Sequence, residues 1–304
     1  MSARGYSSLS SGIFRAWCQA SRPQFYVATL IPLALGAVLA ASENDWNLLR
    51  WLAVLIASFL VHLNTNLAND YFEYFSGADE GDSIGGSRVL QEGKITLTQI
   101  RSFMIIAYAI ACLIGIWVLL ITRAWWLAGI MIFAFLSSIY YTARPVRYGY
   151  HGLGELFVGI NMGPVMVVGT YAALTGRFST RPLWLSIPVG IMVALILYYQ
   201  SLPDIESDRK IGKYTLAVRL GRKGSLWGYR GFIAATYIAV ALLVWHGDLH
   251  FSALLTLITL PPAVMVDKMI RTMPDWVELH SRGGKVRLFY LLNGLIIVLA
   301  AALF

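Results

Sequence analysis

Nine stretches of the chain are apolar over lengths close to a membrane crossing: residues 24–42, 48–69, 100–121, 124–142, 154–174, 183–203, 230–246, 251–270 and 286–304. A helix needs about 20 mostly apolar residues to cross the hydrocarbon layer. The pattern therefore predicts an all-α polytopic membrane protein with nine transmembrane helices. Ahead of them, Ile13, Phe14 and Trp17 share one side of a short helix that also carries Arg15 and Arg22. Such a segment suits the membrane interface. Residues 1–23 are accordingly read as an N-terminal interfacial segment on the cytoplasmic side, and residues 24–304 as the membrane domain. A first apolar run behind Arg4 and Arg15 resembles a signal peptide, but with so many spans after it a retained helix is expected.

The apolar pattern is broken twice in the same way. The second run ends in Asn66-Leu-Ala-Asn69-Asp70-Tyr71-Phe72-Glu73, followed by Asp79-Glu80-Gly81-Asp82. Residues three and four apart share a helix face, so His62, Asn66, Asn69, Asp70 and Glu73 make one polar stripe. Far downstream, Gln200-x-x-x-Asp204-x-x-x-Asp208 again places an amide and carboxylates on one predicted helical face at the end of an apolar run. Carboxylates at the edge of hydrocarbon are costly and mark function. A solvated helix end explains either stripe alone; two matching stripes predict the two halves of one site.

Charge fixes the expected orientation. With the N-terminus placed inside, the inner segments hold twenty of the 24 Lys and Arg residues and the outer loops only Arg50, Arg123, Arg177 and Arg181. This positive-inside bias puts both acidic stripes on the cytoplasmic side of a multi-pass membrane protein. The net charge of +8 comes from loops between apolar runs, not from one basic face, so no nucleic-acid partner is expected. Cys18 and Cys112 lie in unrelated segments and indicate neither a disulfide framework nor a zinc site.

Grouped oxygen ligands suit Mg²⁺, which retains waters and is completed by substrate phosphates. Cations follow each stripe: Gly85-Gly86-Ser87-Arg88 after the first, and Arg209, Lys210 and Lys213 after the second. Glycine permits close backbone approach and arginine offers a fork to phosphate. Acids and cations together call for a diphosphate, bridged by Mg²⁺ to Asp70 and Asp204/Asp208 and held by Arg88 and Lys213. Its carrier is expected to be apolar, entering from lipid. The loop from Tyr140 to Tyr150 adds aromatics, with Tyr141 as a candidate catalytic side chain, beside Arg144 and Arg147; aromatic faces stabilise a cation and Arg144 can hold an anion. An interfacial aromatic belt accounts for the tyrosines equally well. Gly152, Gly154, Gly159, Gly163 and Gly169 predict close helix packing in the fifth span.

Asn66-x-x-x-Asp70, Asp204-x-x-x-Asp208, the Arg22-Pro23 entry to the first span and nine predicted helices together resemble the UbiA-type membrane prenyltransferases over essentially the whole chain. Asn69-Asp70-Tyr71 with Asp79, Gly86-Ser87-Arg88, and Arg144-Pro145 with Gly152-Leu153-Gly154 are most similar to the 1,4-dihydroxy-2-naphthoate polyprenyltransferases of menaquinone synthesis. Glu73 and Glu155 stand where Asp is frequent in that group. The resemblance implies a central cavity open to the cytoplasmic side and to lipid, with Mg²⁺ held by Asn66, Asp70, Asp204 and Asp208. It implies transfer of a polyprenyl group from an allylic diphosphate to an aromatic small molecule. Asp70, Asp204, Asp208 and Tyr141 are the candidate catalytic residues; Arg88, Lys213, Arg144, Asn69, Glu73 and Asp79 are the candidate substrate-binding residues. Removing Asp70 or Asp204 is expected to stop transfer while leaving the fold intact.

Three alternatives remain open on the sequence. The same chemistry can act on 4-hydroxybenzoate, homogentisate or a geranylgeranylglyceryl phosphate. A CDP-alcohol phosphotransferase also uses paired aspartates, but in one dense motif that is missing here. A cation transporter predicts acids reaching both faces, whereas the outward halves of these helices carry none.

Overall fold

A computed structural model describes residues 3–77, 86–273 and 276–304. Asp79, with Glu80 and Asp82, lies outside the described residues. The described chain is helical and contains no strand.

The first helix, α1 (Ala3–Ser21), ends where Arg22 takes a left-handed backbone (φ 52°) and Pro23 follows, so the chain turns by 55° before α2 (Val27–Ser42). Proline cannot donate to the preceding turn, which accounts for the stop. Ala16 and Ala20 of α1 are buried against Leu67, Val89 and Ile100, and Trp17 meets Phe103 at 5.0 Å, while Ile13 and Phe14 are exposed. The predicted interfacial segment is thus anchored by one face.

Next come α3 (Leu48–Tyr74), capped by the Asn47 side chain, and α4 (Leu97–Thr122), which begins in a Thr96/Gln99 capping box. At 27 residues α3 is about 40 Å long, more than the hydrocarbon layer is thick, and the first polar stripe lies in its last turns. Behind them are α5 (Leu127–Tyr140), α6 (Gly154–Thr175) with a wide turn over Asn161–Val165, and α7 (Thr180–Ser201). The short α8 (Ile205–Lys210) leads into α9 (Leu216–His246), which is interrupted at Gly221. Then α10 (Phe251–Thr272), α11 (Trp276–Ser281) and α12 (Gly284–Ala302) complete the chain.

All nine apolar runs are helical, but they are not equal. Seven are long and apolar enough to cross a membrane alone; α2 reaches that length only with the bent Gly12–Phe25 segment, and α5 has 14 residues. The count of nine independent spans is therefore not reproduced among the described residues.

Central to the bundle is α7, packed on α6, α9, α12 and α2. Its Leu185, Val189, Met192 and Tyr198 are fully buried. Hydroxyls inside a hydrocarbon-facing bundle need partners, and the buried tyrosines find carbonyls on other helices. Tyr198 donates to Ser225 O (2.9 Å), Tyr199 to Leu279 O (2.7 Å), Tyr229 to Ala263 O (2.9 Å) and Tyr290 to Ala28 O (3.2 Å). The expected glycine packing is real at α6 and α7: a Cβ on Gly163 would sit 2.8 Å from the Gly190 Cα. Gly169 has only an ordinary neighbour at 3.9 Å and plays no such part. Exposed apolar side chains such as Leu113, Ile116, Leu120 and Leu299 coat the outside, where lipid replaces water as the solvent.

Candidate active site

The ends of α3, α5 and α7 and the beginnings of α2, α6 and α9 meet at one end of the bundle, and the two acidic stripes meet with them. On α3 the stripe forms as the spacing predicts, with His62, Asn66, Asp70 and Glu73 buried and Asn69 half-buried. His62 Nδ1 pairs with Thr29 Oγ1 at 2.5 Å and its ring stands edge-on to Tyr26, a structural role. Asn66 Nδ2 donates to Ser21 O (3.2 Å), tying the stripe to the break before α2. Asn69 Oδ1 accepts from Thr142 Oγ1 at 3.2 Å.

Asp70 is 2% exposed and has two partners. The Arg22 guanidinium pairs with Oδ1, while Ser87 donates its N–H (3.2 Å) to Oδ1 and its hydroxyl to Oδ2. Ser87 thus turns its hydroxyl and amide towards the Asp70 carboxylate, while Gly85, expected beside it in the loop, lies outside the described residues. Gln19 holds the same loop from α1, donating to Ser87 O at 2.6 Å. Arg88, next in the chain, is half-buried with a left-handed backbone (φ 60°). Asp70 is buried and paired with the Arg22 guanidinium, so its removal would take one charge partner away from Arg22.

The second stripe departs from the predicted single helix. Pro203 cannot continue the hydrogen-bond ladder, and α7 stops at Ser201. Asp204 instead stands at the N-cap position of α8 without a side-chain capping bond, and the Asp208 N–H donates to Asp204 O at 2.8 Å, which keeps both acids on adjacent turns.

Lys213 joins the two halves. Its Nζ lies 3.0 Å from Glu73 Oε1 and 3.5 Å from Asp208 Oδ1, so side chains from α3 and α8 share one ammonium. Tyr150 donates its hydroxyl to Glu73 Oε1 (3.4 Å), and Ser76 Oγ lies 3.1 Å from that hydroxyl. Burial pushes the Asp208 carboxyl up to about 7, with Asp204 and Glu73 adding to the rise and Lys213 opposing it. Burial works against the Lys213 charge, but Glu73 and Asp208 outweigh it and hold the ammonium well above its usual range.

The aromatic loop forms one wall. Tyr141 is buried, edge-on to Tyr148 at 5.3 Å, and burial raises its hydroxyl. Arg147 stacks on the Tyr150 ring at 3.8 Å, and Lys213 lies 5.6 Å from the same ring. Arg144, by contrast, is exposed and forms no ion pair among the described residues, so the structure does not bring it to the cluster. Sequence reasoning missed Arg22 as the partner of Asp70 and Tyr150 as a partner of Glu73. An arginine directly before Pro23 was the only available signal for the first.

Whether this end of the bundle suits a divalent cation turns on its donors. Asp70, Glu73, Asp204 and Asp208 offer hard oxygen ligands, the type Mg²⁺ selects. Among the described residues no three acidic, histidine or cysteine side chains are grouped so that they could hold a metal ion by themselves. The carboxylates fit such a cation by donor type, and substrate oxygens would have to complete its shell.

Buried carboxylates and cations gathered at one end of a helical bundle with an apolar exterior mark a polytopic membrane protein with a polar site. The profile of the UbiA prenyltransferase family matches residues 29–274. The chain belongs to this family and is a prenyltransferase. It is 34% identical over 230 residues to the 1,4-dihydroxy-2-naphthoate octaprenyltransferase of Bacillus subtilis (strain 168), covering 75% of this chain and 73% of that protein. Its Escherichia coli (strain K12) counterpart of the same name is 30% identical, covering 75% and 76%. Among solved structures, a UbiA homolog from Aeropyrum pernix K1 superposes with a TM-score of 0.65 at 20% identity, covering 90% of this chain and 95% of that one. A UbiA homolog from Archaeoglobus fulgidus, bound to GPP and Mg²⁺, gives 0.64 at 15% identity, covering 93% and 99%. The last two likenesses concern the fold alone.

Proposed function

We propose that the protein transfers a polyprenyl group from an allylic polyprenyl diphosphate to 1,4-dihydroxy-2-naphthoate, in the presence of Mg²⁺, from the cytoplasmic side of the membrane. The observation that carries this reading is the Lys213 ammonium shared by Glu73 and Asp208, which joins the two acidic stripes into one charged mouth. The naphthoate octaprenyltransferases at 30–34% identity support the acceptor.

Mg²⁺ would be held by Asp70, Asp204 and Asp208 with the Asn66 amide oxygen, and would supply positive charge to the departing diphosphate. Lys213 and Arg88 bind that diphosphate, and Glu73 and Tyr150 orient the Lys213 ammonium between them. Ser87 and Arg22 hold Asp70 in place. Tyr141, Tyr148 and Tyr150 exclude water from the allylic carbon and present electron-rich rings to its developing positive charge.

The test is turnover. Protein in nanodiscs, given Mg²⁺, labelled polyprenyl diphosphate and a panel of hydroxylated aromatic acids, should yield a ring-prenylated, decarboxylated naphthol, with diphosphate and carbon dioxide released. Transfer to another acid alone would move the acceptor assignment; no transfer to any would overturn the proposal.

A further inference from the structure

A cavity of about 450 Å³ lies between α6, α7 and α9. Its walls are apolar, among them Leu156, Ile160, Ile187, Ile191 and Phe232, and its one ionisable lining residue is Glu155. Glu155 is 4% exposed, and both of its carboxylate oxygens are buried without a hydrogen-bond partner. The backbone amides of Glu155 and Leu216 lie near it, yet neither meets hydrogen-bond geometry. No lysine or arginine among the described residues forms an ion pair with it; Lys213, paired with Glu73 and Asp208, acts on it only through its longer-range charge.

A carboxyl left without a partner in such surroundings is expensive, and a ligand that supplies a hydrogen-bond donor removes the cost. The cavity's apolar walls ask for an apolar body on that donor. A diphosphate is excluded by its larger like charge and by the apolar walls, and an acceptor that bears a carboxylate would present its hydroxyl edge to Glu155 with the carboxylate turned away. The head of the cavity is also close to the reaction centre: the adjacent Gly154 packs on Tyr141, where a Cβ would lie 3.4 Å from the phenol oxygen. Leu216, another lining residue, is three positions beyond Lys213. The volume falls within the range of small-molecule sites, roughly 300–1,000 Å³.

We propose that Glu155 anchors the aromatic acceptor by accepting a hydrogen bond from its ring hydroxyl, with the ring seated in this cavity. The inference rests on the prenyl-transfer reading and adds the residue that selects a hydroxylated ring. It is a binding role, with no bond made or broken at Glu155.

The experiment compares the wild type with Glu155→Leu, Glu155→Gln and Ile191→Phe in nanodiscs. Steady-state transfer should show the acceptor KM raised at least tenfold in Glu155→Leu and in the cavity-narrowing Ile191→Phe, with the donor KM unchanged. Glu155→Gln, which keeps an acceptor oxygen, should stay within threefold of the wild type. In parallel, equilibrium binding of a naphthol and of its methyl ether is measured without donor. The wild type should prefer the naphthol at least tenfold and Glu155→Leu should bind both alike. An unchanged acceptor KM in Glu155→Leu, or equal loss for donor and acceptor, overturns the anchoring role. If the wild type transfers nothing, the functional proposal fails while the naphthol measurement still decides whether Glu155 recognises a ring hydroxyl.

Discussion

Replacing Lys213 by alanine tests the join between the two halves of the site. The side chain is 16% exposed and its ammonium is the shared partner of Glu73 and Asp208. A hydrogen bond to a charged group contributes about 1.5–3 kcal/mol. At about 1.4 kcal/mol per tenfold change, losing one such contact to the diphosphate weakens donor binding about 10- to 100-fold. The loss has a second source: without the ammonium, Glu73 and Asp208 face the incoming anion unscreened. The acceptor carries no diphosphate, so its KM should hold. The assay is titration of wild type and Lys213→Ala with an unreactive thio-analogue of a polyprenyl diphosphate, read by calorimetry with Mg²⁺ fixed. Donor affinity within twofold of the wild type would refute the placement of Lys213 on the diphosphate, and equal weakening of donor and acceptor would reduce it to a structural tie.

Asp204→Ala should abolish transfer while the thermal midpoint moves little. Asp70→Ala should abolish transfer and also lower the midpoint, because it removes a buried carboxylate that pairs with Arg22 and accepts from Ser87, and a hydrogen bond to a charged group contributes about 1.5–3 kcal/mol; equal midpoints for the two variants would contradict these contacts. For Asp208 the sign follows from its raised value: the folded protein holds the proton up to about pH 7, whereas an unfolded carboxyl releases it near 3.8. The contribution of Asp208 to the stability of the metal-free protein is then fully present below about pH 4 and is lost progressively as pH rises to about 7. Thermal melts across that window should show the decline, and Asp208→Asn should flatten it. Gly163→Leu forces a side chain against the Gly190 backbone, which cannot yield, and should destabilise the protein by about 1–3 kcal/mol in a melt. An unchanged midpoint would mean that α6 and α7 do not pack as closely as the backbone indicates.

Where the helices lie, and which residues make the first stripe, was legible along the chain because both depend on local rules. Apolar length sets a crossing, Thr96 and Gln99 cap α4, and the 3.6-residue turn places Asn66, Asp70 and Glu73 on one face of a single helix. The second stripe was half legible. Its acids were visible, but Pro203 divides the helix that was expected to carry them. What the pattern could not supply was partnership. Arg22 meets Asp70 across 48 positions and Ser87 meets it across 17, while Lys213 reaches Glu73 only because α3 and the turn before α9 end at the same level of the bundle. Burial of Glu155 beside an apolar cavity likewise depends on how α6, α7 and α9 come together. Helical periodicity is fixed by neighbours a few residues away, so sequence alone determined the elements and the faces they present. Which face meets which depends on side-chain volumes summed over the whole bundle, and that only the tertiary structure decided.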